Sequence, residues 1–404
     1  MRAKWTADQI RSSIPPTRGA FRFPAPYHAQ AVRITDPTDC AAGADCLHPL
    51  GHASWRNTNN HVDSNDLLLF LSFDRRNGGE GPTLFRYDKS KDAIARVGPL
   101  FEPTSKFSWN SGSGWYFSAS MPSALYINDG PKLLRYDVQA KHFDTVFDVS
   151  SLWGNDKYIS QMHSSNDDLV HSATLKISGT DEALGCVVYH EDAHRLAFFG
   201  KVGMFEECTV DKSGHWLMSL ENVDGRYDAD MRIFDLASET EVARILSEDG
   251  AVSHPDLGYG YIVGADSWNP LPNASQTWVL GRTVTKGPVV HSNINWNIAA
   301  LNHRSHANAK AGVPMEHQYV CGSNADVSGV QNEVTCIPLD GTDRQLIVAP
   351  VMTSLEAPGG KTTYNKMPNG NLDVTGEYFL WTTNLSGHRL EALLVKVPAQ
   401  LLAQ

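Results

Sequence analysis

A pair of β-rich segments recurs seven times along the 404-residue chain, and this repeat constrains the fold more than any other feature. One segment reads as two apolar-alternating strands around a polar turn, as in LFRYDKSKDAIARV at 84–97 and MRIFDLASETEVARI at 231–245. The other segment precedes it and holds a short strand, a polar turn and a hydrophobic strand, as in NHVDSNDLLLFLS at 60–72. Each repeat therefore predicts four strands, at a spacing of roughly 45 to 65 residues that is typical of propeller blades.

The repeats must pack on one another, because a single four-stranded blade cannot bury both of its faces. The last copy, ALLVKVPAQLL, is cut off by the C-terminus, and AQAVRIT at 29–35 can supply the missing strand. We therefore predict an all-β, seven-bladed β-propeller with four antiparallel strands per blade, closed by pairing of the N- and C-terminal strands. Residues 1–404 are predicted to be one domain, with 1–28 as an N-terminal extension. A pair of β-sandwiches or an open solenoid is the alternative.

The charge balance limits the partners. A formal net charge of −11 argues against nucleic acid and against an anionic membrane surface, which both need a broad basic face. A small anionic ligand needs only a local basic pocket, so it stays open. The sequence has no apolar run of about 18 residues, so we expect no transmembrane helix. We expect a monomer.

The N-terminal sequence bears on localisation. MRAKWTADQIRSSIPP has no apolar core of the kind that a signal peptide needs. We therefore expect a cytoplasmic protein if the chain is complete, and a periplasmic or secreted one if a leader has been removed.

Six cysteines are spread along the chain without a CxxC pair, which argues against a structural zinc site. Cys40 and Cys46 are close enough in sequence to form a disulfide. Cys321 and Cys336 can face each other across a hairpin. Buried free thiols are the alternative for all six cysteines.

Histidine is concentrated at one position of the repeat, near the start of the innermost strand. In a propeller this position lies at the rim of the central channel, so the equivalent residues of different blades approach one another. Gathered imidazoles can ligate Mn²⁺, Zn²⁺ or Fe²⁺, or supply general acids and bases near neutral pH. The alternative is that each histidine hydrogen-bonds the next blade. In blade order the aligned residues are His61, Trp109, His163, Thr209, His254, His306 and Asn371.

Further candidates for a site lie near the same rim. Asn60 precedes His61, Glu206 and Glu207 precede the fourth inner strand, and Tyr364 lies close to Lys366. The long insertion in blade 6, residues 291–317, suits a binding loop and holds Trp296, His303 and Arg304. The sequence contains no GxSxG, Walker A or CxxCH motif, which argues against a serine hydrolase, a P-loop enzyme and a c-type haem protein.

The repeats with inner-strand histidines resemble TolB-like propellers, and within these the oligogalacturonate-lyase and propeller ulvan-lyase type. The resemblance covers nearly the whole chain and lies in the blade pattern. It implies a metal held by histidines and a glutamine at this rim, with a histidine and an arginine near the sugar. The positions that match the metal ligands are His163, His254 and His306, and the metal would be Mn, Zn or Ca.

The favoured hypothesis is a lyase that cleaves uronate-containing glycans by β-elimination. The substrate would be an anionic oligosaccharide or polysaccharide. A metal or Arg304 would neutralise the uronate carboxylate, His61, His163 or His254 would remove the C5 proton, and Tyr364 would protonate the leaving oxygen. Trp109 and Trp296 would stack on sugar rings, and Asn60 and Lys366 would bind substrate. The alternatives are a non-catalytic propeller that binds a protein or glycan, and an iron-dependent oxygenase that uses four histidines.

Overall fold

The computed structural model describes residues 2–109, 114–226, 229–265, 274–288, 290–291, 303–323, 325 and 331–402. Its strands form seven antiparallel sheets in chain order, which confirms the all-β, seven-bladed propeller. The described residues hold three short α-helices, α1 (Ala7–Ser13), α2 (Ser150–Trp153) and α3 (Thr363–Lys366). No helix among them is long and apolar enough to cross a bilayer.

The strands follow one another along the chain with short connections. The first fifteen are β1 (Gly19–Arg22), β2 (Gln30–Arg33), β3 (Asp66–Phe73), β4 (Gly81–Asp88), β5 (Ala93–Pro99), β6 (Tyr116–Phe117), β7 (Ala124–Asp129), β8 (Lys132–Asp137), β9 (His142–Asp148), β10 (Lys157–Ser164), β11 (Val170–Ile177), β12 (Ala183–His190), β13 (Arg195–Gly200), β14 (Met204–Val210) and β15 (Trp216–Asn222). The remainder are β16 (Asp230–Asp235), β17 (Thr240–Ile245), β18 (Ser253–Leu257), β19 (Tyr261–Ala265), β20 (Ala274–Val279), β21 (Thr285–Lys286), β22 (Val290–His291), β23 (Arg304–Ser305), β24 (Tyr319–Gly322), β25 (Glu333–Pro338), β26 (Leu346–Pro350), β27 (Asn371–Leu372), β28 (Tyr378–Thr383) and β29 (Glu391–Lys396).

Blades 2, 3, 4 and 6 are the four-stranded sheets β6–β9, β10–β13, β14–β17 and β23–β26. Blade 5 contains β18–β21, and β22 adds to β20. Blade 1 contains β3–β5, and its inner strand is reduced to a bridge between Thr58 and Leu69. The second and third strands of a blade are buried nearly throughout, whereas an outer strand such as β5 alternates between exposed and half-buried residues. This pattern follows because only the outer strand faces solvent.

Blade 7 closes the ring, as the sequence predicts. Strand β2 pairs with β29, so the outer strand of this blade comes from the N-terminus, and β1 adds a fifth strand outside it. The buried Arg33 guanidinium donates to the Glu391 carboxylate at 2.7 Å, and Thr35 donates to the same carboxylate at 2.6 Å. The segment predicted as an extension thus carries α1 and β1, and Ile10 of α1 packs into the core shared by blades 6 and 7.

All six cysteines are paired. Cys40–Cys46 and Cys321–Cys336, which the sequence left open against buried free thiols, are both disulfides. The third, Cys186–Cys208, was not predicted from the sequence. It joins β12 of blade 3 to β14 of blade 4, and these positions become neighbours only when the two blades pack face to face.

Candidate functional site

A cavity of about 490 Å³ opens at the rim where the inner strands begin. Its walls come from the segment before blade 1, from β10 and β11 of blade 3, and from the loop that carries α3 before blade 7. The cavity therefore forms only when the first, third and seventh blades close around the axis. Its lining residues are His48, Pro49, Leu50, Gly51, His52, Trp55, Gly114, Ser160, Gln161, Lys176, Tyr364 and Asn365.

Three imidazoles meet beside this cavity. The rings of His254 and His303 are stacked with centroids 4.6 Å apart, and the His52 ring meets them edge-on at 5.3 Å and 5.8 Å. Burial lowers the pKa of all three histidines below the ordinary value. His52 lowers the pKa of His254 further by repulsion, and His52 and His254 together lower the pKa of His303. The cluster is therefore uncharged at neutral pH and has lone pairs that can accept protons.

Glu207 lies against the same cluster. Its Oε2 is 3.7 Å from His52 Nδ1, and the side chain is 3% exposed. Burial raises the pKa of this carboxyl to about 7, and the neighbouring Glu206 carboxylate raises it as well, while His254 acts in the opposite direction. The raised pKa makes Glu207 a group that changes charge near neutral pH.

Backbone bulges direct these side chains toward the channel. The ladder of blade 3 shifts between Ser160 and His163, where Gln161 has a φ of 49°. The ladder of blade 5 shifts between Ser253 and Asp256, where His254 has a φ of 43°. Left-handed conformations of this kind are uncommon for residues other than glycine, and bulges near functional sites re-aim side chains. Two blades therefore use the same local distortion to place a polar residue at the rim.

Several buried polar atoms of this region have no hydrogen-bond partner in the described part of the chain. A native protein leaves few such atoms without a partner, because each one costs about 1–3 kcal/mol. Their concentration here indicates a place where ligand or water binds. The atoms are Nδ1 of His254, Nδ1 of His303, Nε2 of His163, Oε1 of Gln161 and Oε2 of Glu207.

The four aligned histidines have different surroundings. His61 lies where blade 1 meets blade 7, with its Nδ1 3.3 Å from an Asp373 oxygen and its ring against Tyr378. Burial lowers its pKa to about 4, so this imidazole is neutral and makes no ion pair near pH 7. His61 therefore lies at the junction of two blades, while neither of its ring nitrogens makes a hydrogen bond among the described residues.

His306 also contacts the neighbouring blade. Its Nε2 bonds the Tyr261 hydroxyl, and its Nδ1 faces Asn308 Oδ1 at 3.2 Å and the Tyr319 carbonyl at 3.1 Å. Both ring nitrogens are therefore engaged within the protein, and we do not carry His306 forward as a metal ligand. The structure does not bring the four histidines to one point, because two of them pack into blade junctions. Their predicted place near the start of the innermost strand is also wrong for three of them: His163 is the last residue but one of β10, and His61 and His306 follow the Thr58 bridge and β23.

The alignment by turn residues misplaced His254. The first two strands of blades 3 and 5 can be compared by their paired residues. The second-to-last pair of the ladder is His163 with Ser172 in blade 3 and Asp256 with Val263 in blade 5. His254 lies two residues earlier, at the bulge. Asp256 instead occupies the register position of His163, and its carboxylate accepts from Lys212 at 2.7 Å and from the backbone N–H of His306 at 2.6 Å.

Other predicted residues differ in their access to the cavity. Tyr364 lines the cavity and is 52% exposed. Burial raises the pKa of its hydroxyl, and Glu207 and Glu206 raise it further. Lys366 instead donates to the Leu355 carbonyl at 2.8 Å within its own loop. Asn60 is buried among the residues that precede blade 1, and Arg304 is buried in β23.

Arg304 has no hydrogen-bond partner at Nε or Nη2 among the described residues, and burial lowers its pKa to about 9. The prediction that Trp109 and Trp296 stack on sugar rings stays untested. Trp109 is described only in its backbone, at the end of a short 3-10 helix, and Trp296 lies outside the described residues.

Apart from Tyr364, the residues that line the cavity were missed from the sequence, among them His52, Trp55, Gln161 and Lys176. His52 and Trp55 precede the first repeat, so no comparison between repeats could find them. The Trp55 ring stacks between His52 at 5.0 Å and His163 at 5.8 Å and donates to the Met162 carbonyl at 3.1 Å. Gln161 lies in the bulge of β10, so it has no equivalent position in an alignment of the repeats without gaps.

The described residues contain no group of three or more His, Cys, Asp or Glu side chains placed to hold a metal ion. The donor types beside the cavity, imidazole nitrogen and carboxylate oxygen, nonetheless suit a divalent cation such as Mn²⁺ or Zn²⁺. The cluster is therefore compatible with a metal in its chemistry, while its side chains as placed do not form a ligand cage.

Comparison with solved structures supports the architecture. An oligogalacturonate lyase from Vibrio parahaemolyticus aligns with a TM-score of 0.64 at 10% identity, over 96% of this chain and 98% of the other. An oligogalacturonate lyase in complex with manganese aligns with a TM-score of 0.64 at 13% identity, over 99% and 100%. TolB from Acinetobacter baumannii aligns over 83% of this chain and 80% of the other, with a TM-score of 0.38 at 11% identity. The two oligogalacturonate-lyase alignments confirm the predicted resemblance as one of fold. No protein-family model and no curated protein matches the chain.

Proposed function

We propose that the chain is a lyase that cleaves uronate-containing oligosaccharides by β-elimination in this cavity. The observation that carries the proposal is the cluster of His52, His254 and His303 beside Glu207, which has unpartnered acceptor atoms among the described residues and reaches the cavity wall through His52. The likeness to oligogalacturonate lyases supports the choice of substrate class, since the whole chain aligns with them.

β-Elimination requires three things of a protein: neutralisation of the uronate carboxylate, a base for the C5 proton and an acid for the leaving oxygen. We assign the first to Lys176, which lines the cavity at the end of β11 and has no recorded ion pair among the described residues. An ammonium group at this wall would bind the C6 carboxylate and favour loss of the neighbouring proton.

We assign the base to His254. Its imidazole is neutral, and Nδ1 has no partner among the described residues, so a lone pair is available there. The C5 proton would move to this nitrogen, and its electron pair would form the C4–C5 double bond as the C4–O bond breaks. Glu207 and Glu206 favour the protonated imidazole, so both carboxylates would stabilise the imidazolium that forms.

We assign the acid to Tyr364. Burial raises the pKa of its hydroxyl, and the two glutamates add to that effect, so the phenol is protonated at neutral pH. It would donate its proton to the leaving C4 oxygen. One proton thus passes from C5 to His254, and another passes from Tyr364 to the leaving oxygen, so the elimination is balanced.

A divalent cation, Mn, Zn or Ca, is a separate part of the proposal. The candidate donors are His52, His303 and Glu207, and a bound cation would supply charge that neutralises the uronate carboxylate. The manganese in one oligogalacturonate lyase supports testing this ion first. The assignments to Lys176, His254 and Tyr364 do not depend on it.

The second candidate is a non-catalytic propeller that binds a protein or a glycan. It is favoured by the positions of His61 and His306, which contact neighbouring blades as a structural role requires. Propeller folds serve many functions, and the fold alone does not decide between them.

The test is the ultraviolet absorbance of unsaturated uronate products, measured with purified protein on a panel of uronate oligosaccharides and polymers. Each substrate is tested after chelation and after addition of Mn²⁺, Zn²⁺ or Ca²⁺. We expect absorbance to rise on at least one uronate substrate, and Tyr364→Phe to abolish the rise. Tyr158→Phe is the control, because it removes a hydroxyl that bonds Asp181 and does not line the cavity. Absence of product on every uronate substrate under all metal conditions would overturn the lyase, and binding of a glycan without turnover would support the second candidate.

A further inference from the structure

We infer that Lys361 and Asp74 are positioning residues for the proposed lyase, because their ion pair holds the loop that places Tyr364 at the cavity. The inference rests on the proposed function, in which the Tyr364 hydroxyl is the acid. Lys361 and Asp74 line a second pocket of about 130 Å³, which shares part of its wall with the larger cavity. Both residues therefore act through Tyr364 and not on a substrate in the larger cavity.

The loop between β26 and β27 has little regular structure around Tyr364. Its helix α3 is a single turn of four residues, and a helix of that length is not stable on its own. Thr362 caps the turn by accepting from the Asn365 backbone N–H at 3.2 Å, and Lys366 donates to the Leu355 carbonyl at 2.8 Å. These bonds join the loop only to itself, so the place of Tyr364 at the rim depends on contacts with other parts of the chain.

Lys361 makes one such contact, three residues before Tyr364. Its ammonium donates to Asp74 Oδ2 at 3.0 Å, and the Asp74 side chain is 5% exposed. Other donors hold the same carboxylate: Arg76 donates to it from Nε and Nη2 at 3.0 Å each, and Asn77 donates from Nδ2 at 3.1 Å. Because the acceptor is itself fixed, the ion pair restrains the loop.

Asp45 makes a second contact with the same loop. Its Oδ2 accepts from the Gly360 backbone N–H at 2.8 Å, and its Oδ1 accepts from that of Leu390 at 2.9 Å. The backbone N–H of Asp74 donates at 2.6 Å to the carbonyl of Cys46, the residue after Asp45. The two carboxylates therefore belong to one connected region beside blade 1, and they bind two successive residues of the loop.

The position of the phenol matters because Tyr364 can protonate the leaving oxygen only within hydrogen-bonding reach. A displacement of about 1 Å at a reacting group can cost about 10² in rate. Lys176, which binds the substrate carboxylate in the proposed mechanism, lies on β11, in a different part of the chain. Release of Lys361 from Asp74 should therefore lower kcat and leave KM nearly unchanged.

The first measurement is hydrogen exchange of the full chain without substrate, which does not depend on lyase activity. We expect peptides that cover 359–368 to exchange faster in Lys361→Met, while peptides that cover β3 keep their rate. Lys361→Arg, which can still donate to Asp74, should restore slow exchange. Unchanged exchange of the loop in Lys361→Met overturns the inference.

Lys91→Met is the matched control for both measurements. It breaks an ion pair between an exposed lysine and Asp88 at the same distance of 3.0 Å, in a hairpin turn of blade 1. We expect this variant to leave the exchange of 359–368 and the kinetic constants unchanged. An equal effect of Lys91→Met and Lys361→Met would show a general effect of lost charge and contradict the inference.

The second measurement is steady-state kinetics on a uronate substrate that gives product in the absorbance test. We expect Lys361→Met to lower kcat about tenfold with KM within about twofold, and Lys361→Arg to recover most of the rate. The thermal midpoint should change little, because an exposed ion pair contributes little to stability. An unchanged kcat overturns the inference, and so does a rise in KM alone, which indicates direct contact with substrate.

The two measurements separate this inference from the proposed function. Turnover of a uronate substrate without any effect of Lys361→Met overturns the inference and leaves the lyase standing. Absence of turnover on every substrate overturns the lyase and the positioning role with it, while faster exchange in Lys361→Met would still show that the ion pair holds the loop.

Discussion

The imidazole rings of His254 and His303 lie stacked, 4.6 Å between centroids and 27° between planes, although 49 residues separate them in the chain. Two imidazolium ions would repel each other at this distance, so the arrangement requires that at most one ring is protonated at a time. Burial of both rings favours the neutral forms. The pair is therefore suited to accept one proton from a substrate and to release it afterwards.

Substitution of His254 separates a role in the site from a role between blades. If the imidazole accepts the substrate proton, His254→Asn should lower kcat of the proposed lyase by about 10² to 10⁴, the usual contribution of a general base. His61→Asn is the matched control, because His61 contacts Asp373 and Tyr378 at a blade junction. The measurement is the steady-state rate together with the thermal midpoint.

We expect His61→Asn to lower the midpoint and leave kcat close to that of the unsubstituted protein. Full activity in His254→Asn together with loss of activity in His61→Asn would show that His254 is not the base and would contradict the mechanism.

Glu207 makes stability depend on pH. Its pKa is about 7 in the native state against 4.5 for an ordinary glutamate, so the native state holds the proton more tightly than the unfolded chain. Stability from this group is full below pH 4.5, declines as pH rises and is lost above pH 7, a change of about 3 kcal/mol. Glu207→Gln, which resembles the protonated carboxyl, should match the unsubstituted protein at pH 4 and exceed it at pH 8.

Denaturant titrations at both pH values measure this difference. Glu316→Gln is the control, since that side chain is exposed and is not among the groups that act on Glu207. A Glu207→Gln protein with the same pH dependence as the unsubstituted chain would show that the carboxyl titrates normally.

The disulfide between Cys186 and Cys208 should stabilise the contact of blades 3 and 4. Replacing both cysteines by serine should cost about 2–4 kcal/mol of unfolding free energy. The control pair Cys40 and Cys46 closes a loop of 6 residues rather than 22, so its removal should cost about 1 kcal/mol less in the chain-entropy model.

Titration of thiols in denaturant should find none in protein prepared without reductant, since all six cysteines are paired. Disulfides persist in oxidising environments, so we propose that the protein works in the periplasm or outside the cell. Recovery of six thiols from protein isolated under native conditions with thiols blocked would exclude that localisation.

The blade pattern could be predicted because it is local. Strand alternation and turn residues recur within each repeat, so the number of blades, the closing strand near residues 29–35 and the hairpin disulfide Cys321–Cys336 follow from neighbouring stretches of sequence. The site was only partly predictable. His254 and Tyr364 lie at the cavity and its histidine cluster, while His61 and His306 contact adjacent blades. One-residue bulges at Gln161 and His254 change which side chains face the channel, and repeats read in simple register do not reveal them.

The amino-acid sequence by itself determined that seven similar hairpin pairs must close into a ring, since each blade exposes apolar faces that only another blade can cover. The tertiary structure alone decided which residues meet at the axis, because His52, Glu207, His254 and His303 come from four separate parts of the chain. Their pKa values and unpartnered atoms arise from burial by neighbours, and that burial exists only after the ring has closed.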